Sequence, residues 1–345
     1  MRKLRVLPEK QRKKEEKMKT LSALILGALL VVIIASGGNR AEAAVAYPEK
    51  PIFFIVPNET GASADILARP LMQKVSSMLG QPIVVVNKPG GGSSIGYREL
   101  YGSKPDGYTI GQASGTIVTN KLQGLLPYDY HDFTILGVYL NWVPAVLAST
   151  KSKHKFNTFA EVVTYAKANP GEISVATGSV GQLWWVASMA LLEATGLKFN
   201  MIPQSASSGA TALQVAGGHT DLGITDVGST KSHIQAGFAK VLAVFGNQRL
   251  PGEFSNVPTL KELGYDVVIT STHTVIGPPK MPKDITDKLV KTIEVAAKDP
   301  EYLKFLSPYY AAPFYLPPDQ AIKWFDGQRK TMRDVMGKAG VLKEK

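Results

Sequence analysis

The chain has 345 residues, a formal net charge of +11 and no cysteine. Without thiols there are no disulfides, thiol nucleophiles, cysteine-ligated zinc sites or lipid anchors on a leader cysteine. Residues 1–46 carry ten Lys/Arg and four Asp/Glu, so +5 remains beyond them with no Lys/Arg run, which argues against a nucleic-acid partner.

Residues 1–19 are crowded with Arg and Lys, and Leu21 to Ala35 is apolar apart from Ser22 and Gly27. At about 1.5 Å per residue that stretch spans roughly 22 Å, short of the ~30 Å hydrocarbon core. Two A-x-A sites follow, Ala41-Glu42-Ala43 and Ala44-Val45-Ala46. The order fits an export signal over 1–46 and a periplasmic location, the alternative being an uncleaved anchor. Met18 is a second candidate start.

Short apolar runs then alternate with amphipathic stretches. Strands are predicted at 52–56, 83–86, 108–111, 134–140, 143–147, 173–176, 199–202, 222–225, 241–245, 267–269 and 275–277. Ile66, Leu67, Leu71, Val75 and Met78 form one helical face, and Ile285, Leu289, Ile293 and Ala296 another. This alternation predicts α/β architecture with mostly parallel sheets. The middle of the chain holds its own strand-helix alternation. The five histidines, 131, 154, 219, 233 and 273, include no close pair, so no His-based metal motif is present.

Several short motifs occur in a fixed order. They are Gly61-x-x-x-Asp65 with Leu67-Ala68-Arg69, Asn87-Lys88-Pro89-Gly90, Pro105-Asp106-Gly107-Tyr108-Thr109, Leu126-Pro127-Tyr128-Asp129, Gly217-Gly218 with Asp221-Leu222, and Val257-Pro258-Thr259. In order and spacing the chain from about Tyr47 onward resembles the periplasmic receptors of tripartite tricarboxylate transporters, the Bug family. The resemblance implies a type II periplasmic binding protein fold: two Rossmann-like lobes joined by a two-crossing hinge. One lobe would take 47–148 plus 270–345 and the other 149–269, with crossings near 147–150 and 268–272. It implies a receptor that needs no cofactor or metal, takes a small organic anion and meets integral-membrane transporter subunits. A monomer is expected.

Family members hold a small carboxylate with loop N–H groups, hydroxyls and water, and four segments match those loops. The first is Asn58–Asp65, with Asn58, Glu59, Gly61, Ala62, Ser63 and Asp65 as candidates. A helix starting near Ala64 presents unpaired N–H groups and a positive dipole end, an anion site on its own physics. The second is Ser114, Gly115 and Thr116. The third is Thr177, Gly178, Ser179 and Gln182, followed by Trp184. The fourth is Gln204 and Ser205, and Asp226 closes the set. All follow predicted strands, the edge where open α/β sheets bind ligands.

The chain departs from the family in places. Asn58-Glu59-Thr60 stands where most relatives have an aromatic residue and prolines. Glu59 either points away or selects a ligand that also carries an amine, hydroxyl or cation. Trp184 and Trp185 either stack on an elongated ligand or pack in the core.

Other patterns have plainer readings. Gly90-x-Gly92-x-x-x-Gly96 has the wrong spacing for dinucleotide binding and reads as turn and packing glycines. Tyr309-Tyr310 is similar to the tandem tyrosines of ferric-ion receptors, but beside Phe305 and Phe314 it reads as packing. No G-x-S-x-G elbow is present. Asp65, Asp129 and Asp226 read as capping and loop-orienting acids. The function expected is a solute receptor and not an enzyme, the alternatives being a sensor-coupled receptor or an exported enzyme on the same fold.

Overall fold

A computed structural model describes residues 8–10, 13–14, 17–18, 47–204, 208–310 and 312–344. Most of the expected signal peptide, and candidate Ser205, lie outside the described residues. Residues 48–345 form one compact unit.

Chain order begins with β1 (Ile52–Val56), α1 (Ser63–Leu79), β2 (Ile83–Asn87), α2 (Ser94–Tyr101), β3 (Thr109–Ala113), α3 (Thr116–Leu122) and β4 (Thr134–Trp142). It continues with β5 (Pro144–Ser149), α4 (Phe159–Ala168), β6 (Ser174–Thr177), α5 (Leu183–Thr195), β7 (Asn200–Pro203), α6 (Ser208–Gly217), β8 (Leu222–Asp226), α7 (Val227–Gln235) and β9 (Ala239–Val244). It ends with β10 (Ser271–Gly277), α8 (Lys283–Ala297), α9 (Pro300–Leu306), β11 (Ala312–Leu316) and α10 (Pro318–Lys338).

The strands make two sheets, β11-β4-β10-β3-β1-β2 and β7-β6-β8-β5-β9. In the first, β1 pairs parallel with β2 and β3, while β10 runs antiparallel to β3 and β4. In the second, β6 pairs parallel with β7 and β8, while β5 runs antiparallel to β8 and β9. The sheets are therefore mixed, not mostly parallel. A returning strand cannot be told from a crossover strand by its apolar content alone.

The strand at 144–149 belongs to the second sheet, so the chain first passes from one sheet to the other at Val143. The return runs between β9 and β10. There 267–269 makes no strand: Val267 and Ile269 are buried and the Ile269 N–H donates to the Phe245 carbonyl at 3.1 Å. A short apolar run that crosses through a core has the composition of a ladder strand without its partners. β11, a strand the sequence reading does not predict, contains Pro313 and lies at the sheet edge, the position in a sheet where proline is tolerated.

A large buried cluster joins the two sheets, with Val138, Phe325 and Met332 on one side and Val146, Ile224 and Trp185 on the other. In α1 the buried face is Ala64, Leu67, Ala68, Leu71, Met72 and Val75, while Met78 is exposed. α10 packs on α3 and β4 and also on α5, where Lys338 pairs with Glu193. Gly96 lets α2 close on β1: a Cβ there would lie 2.8 Å from the Pro57 Cβ. Gly92 adopts φ +64°, and a Cβ would lie 3.0 Å from Gln182 Nε2. Both glycines serve turn and packing.

Candidate functional site

The carboxyl ends of β1, β3, β6 and β8 open on one cavity of about 60 Å³. One water needs about 10–15 Å³ on this measure, so the space takes a small solute. Asn58, Ala62, Ser63 and Ala64 come from the β1–α1 turn, and Ser114 and Thr116 from the β3–α3 turn. Gln182, Leu183 and Trp184 come from the start of α5, Ser208 from the start of α6, and Asp226 from the end of β8. Trp142 at the end of β4 and Ser271 and His273 on β10 complete the wall.

The cavity is lined by helix starts. The N-cap residues of α1 and α5, Ala62 and Gln182, make no side-chain cap bond. The first backbone N–H groups of a helix have no partner within it, and the helix end carries a partial positive charge. At α7 the cap is filled: the Ser229 N–H donates to Asp226 Oδ1 at 2.7 Å. At α3 the hydroxyls of Ser114 and Thr116 are 2.8 Å apart, and Thr116 Oγ1 lies 2.9 Å from the Tyr97 hydroxyl.

Among the described residues, no lysine or arginine lines the cavity. Its acid, Asp226, is 1% exposed, and burial pushes its carboxyl up against the hydrogen bonds from Ser229 and Ser208. Burial lowers His273 to about 3, so its imidazole is neutral. Across the cavity the Ser63 hydroxyl lies 3.2 Å from Ser208 Oγ and donates to Asp226 Oδ1 at 3.4 Å. Among the described residues no group of three or more His, Asp or Glu is placed to hold a metal ion. No helix of the described residues is long and apolar enough to cross a membrane.

The model of the tripartite tricarboxylate transporter family receptor matches residues 67–341. The chain belongs to this receptor family. It is 31% identical over 279 residues to Protein BugT of Bordetella pertussis (strain Tohama I / ATCC BAA-589 / NCTC 13251), covering 79% of this chain and 84% of that one. A solved structure described as a periplasmic transporter superposes with a TM-score of 0.79 at 30% identity, covering 86% of this chain and 99% of its own. An R. palustris protein solved with adipate shares the fold at 24% identity, with a TM-score of 0.80 and coverage of 86% and 99%.

Of the residues predicted for a family receptor's site, the structure brings Asn58, Ala62, Ser63, Ser114, Thr116, Gln182, Trp184 and Asp226 to one cavity. Others have different neighbours. Glu59 is exposed and outside the lining. Asp65 turns inward and accepts from the Gly61 N–H at 3.0 Å and from Asn87 Nδ2 at 3.1 Å. Thr177 is buried against the Ser188 hydroxyl at 2.8 Å. Ser179 donates to the Gln204 carbonyl at 2.8 Å, tying those two loops together. Gly178 leaves room for Trp184, whose Cβ would be 3.3 Å from a Cβ there. At Gly115 a Cβ would lie 3.0 Å from Met332 Cε and 3.4 Å from Leu183, so its bareness lets α3, α5 and α10 meet.

Gly61 lines a wider neighbouring cavity of about 590 Å³, with Ile66, Gly228, Lys231 and Tyr309. Ala62, Ser63 and Ser208 line both spaces. Tyr309 lies tilted against Phe305 at 5.3 Å, and Tyr310 packs on Phe254 at 4.6 Å and bonds Glu253. The tandem tyrosines are therefore packing groups. Trp185 is buried in the core, while Trp184 reaches the cavity.

The reading of the sequence did not name Ala64, Trp142, Leu183, Ser208, Ser271 or His273 as site residues. Ala64, Leu183 and Ser208 lay inside the helix-start signals. The other three sit on β4 and β10, whose antiparallel pairing brings them to the cavity and leaves no local mark in the sequence.

Proposed function

We propose that this chain is an extracytoplasmic receptor that encloses a small organic anion, a carboxylate, between two lobes. It then delivers that anion to the membrane subunits of a tripartite tricarboxylate transporter. The observation that carries this is the convergence of uncapped helix starts from both sheets on one small cavity. Neutral N–H and hydroxyl donors satisfy an anion there, and each bond to a charged carboxylate contributes about 1.5–3 kcal/mol. The proposed ligand contacts are the first N–H groups of α1 and α5 and the side chains of Ser63, Ser114, Thr116, Gln182 and Trp184. Glu59, Gly61, Asp65, Gly115, Thr177, Gly178, Ser179 and Gln204 would shape or hold the loops.

A ligand touching both walls stabilises the closed arrangement over the open one, which supports closure as the signal to the transporter. Sheet membership favours lobes divided at Val143 and in the stretch between β9 and β10. The basic and apolar leader supports a periplasmic location. A monomer without cofactor or covalent chemistry suffices for this role.

The test is thermal unfolding of the purified protein against mono-, di- and tricarboxylates, with product analysis. A ligand present at 100 times its dissociation constant adds about 2.7 kcal/mol to the native state. A clear rise in melting temperature with the ligand recovered unchanged is expected. Conversion of the ligand, or a flat response across all carboxylates, would overturn the proposal.

A further inference from the structure

Two side chains that line the cavity carry a buried donor with no partner. Trp142 is 2% exposed and Gln182 is 6% exposed, and both line the cavity. The Trp142 indole Nε1 and the Gln182 carboxamide Nε2 make no hydrogen bond. Among the described residues, the other buried polar atoms without a partner belong to side chains outside this lining. Native folds rarely leave such groups unpaired, because an unmade bond costs the full desolvation of the donor.

Both side chains are packed, but neither donor atom is engaged by the fold. Gln182 is the N-cap residue of α5, yet its side chain caps nothing. Trp142 lies against Gly228, where a Cβ would come within 2.8 Å of the indole ring, so the backbone there is bare to admit the ring. The two donors come from different sheets, Trp142 from β4 and Gln182 from the turn after β6.

We infer that Trp142 and Gln182 are the specificity-determining pair of the ligand site: each donates to an oxygen acceptor of an amine-free carboxylate, one from each lobe. This rests on the reading of the cavity as the anion site. An amino acid of the same length would set an ammonium against the positive ends of α1 and α5. It would also offer donors where the wall already supplies donors. Asp226 is the acidic side chain in the lining, and its Oδ1 already accepts from Ser229 and Ser63. Sites that present fixed hydrogen-bonding groups discriminate strongly against ligands that leave them unpaired.

The experiment is binding calorimetry on the full chain with matched pairs: malate against aspartate, 2-hydroxyglutarate against glutamate, and adipate against 2-aminoadipate. Wild type is compared with Gln182→Leu, Gln182→Glu and Trp142→Phe. At least one amine-free acid is expected to bind about tenfold or more tighter than its amino partner. Gln182→Leu and Trp142→Phe are each expected to weaken that acid about tenfold or more, and Gln182→Glu at least as much. The melting temperature of ligand-free Gln182→Leu is expected not to fall, because it removes an unpaired donor. Should the smaller ring of Trp142→Phe unsettle the fold, the two Gln182 variants carry the test. Equal or tighter binding of the amino acids, or unchanged affinity in Gln182→Leu and Gln182→Glu, overturns the inference while the receptor reading stands. No binding of any of the six acids by wild type overturns the inference, and the receptor reading falls with it only if the mono- and tricarboxylates also give a flat response.

Discussion

Asp65 and Asp226 occupy matching stations in the two halves of the molecule. Asp65 lies in the first turn of α1, Asp226 ends β8 and caps α7, and both are nearly inaccessible, at 2% and 1% exposure. Burial pushes both carboxyls up. At Asp65 the hydrogen bonds from Arg69, Gly61 and Asn87 outweigh burial, and the carboxyl ends below its ordinary range. At Asp226 the bonds from Ser229 and Ser208 do not, and it ends above. Two things differ: Asp226 lies deeper among surrounding atoms, and Arg69 stands four residues after Asp65 at 2.7 Å, whereas Thr230 stands four after Asp226. One aspartate is thereby spent on holding its turn, and the other is left facing the cavity.

The sharpest way to break the comparison is Asp65→Ala. It removes the acceptor that holds the Gly61 N–H, Asn87 and Arg69, and bonds to a charged group contribute about 1.5–3 kcal/mol each. Arg69 is about half exposed and resolvates, so the expected loss is about 2–3 kcal/mol in urea unfolding. A loss no larger than that of Asp226→Ala would erase the distinction.

Acid titration probes the cavity side. His273 is lowered to about 3, below its unfolded value near 6.5. The unfolded chain therefore binds the extra proton first. Stability from this group is full above pH 6.5 and is lost as pH falls toward 3, at up to about 1.4 kcal/mol per pH unit. His273→Gln is expected to flatten the acid limb of stability against pH. An unchanged slope would mean that the imidazole is not held neutral by burial.

Gly96→Ala tests whether the first turn is held by packing as well as by Asp65. The added methyl meets Pro57 at 2.8 Å, and overpacking of this kind costs about 1–3 kcal/mol. The smallest effect is expected for Asp226→Asn. Asparagine caps a helix about as well as aspartate, so unfolding free energy should move by less than about 0.5 kcal/mol. A large loss there would show that the Asp226 charge is itself structural.

Much of the frame was legible in the sequence, because strand ends and helix starts are written locally. β1 and the turn from Asn58 to Asp65 followed from an apolar run, small residues and a helical face. The same signals placed Gln182 and Trp184 at a helix start. What local pattern cannot supply is the direction in which a side chain leaves its loop. Thr177 and Ser179 read as open hydroxyls, yet one pairs with Ser188 and the other with the Gln204 carbonyl. Trp142 and His273 reach the cavity through antiparallel pairing of distant strands, with Leu140 opposite His273 and Trp142 opposite Ser271. That register is a tertiary fact, set by sheet assembly and not by either segment.

The cavity wall without lysine or arginine has a consequence for the medium in which the receptor works. Mobile ions screen exposed charges that lie more than about 8–10 Å apart at 0.1–0.15 M salt, but reach enclosed dipoles poorly. The proposed capture by buried helix ends and neutral donors should therefore keep its strength as external salinity rises and falls. A neighbour that relied on surface arginines would lose its grip under the same swings.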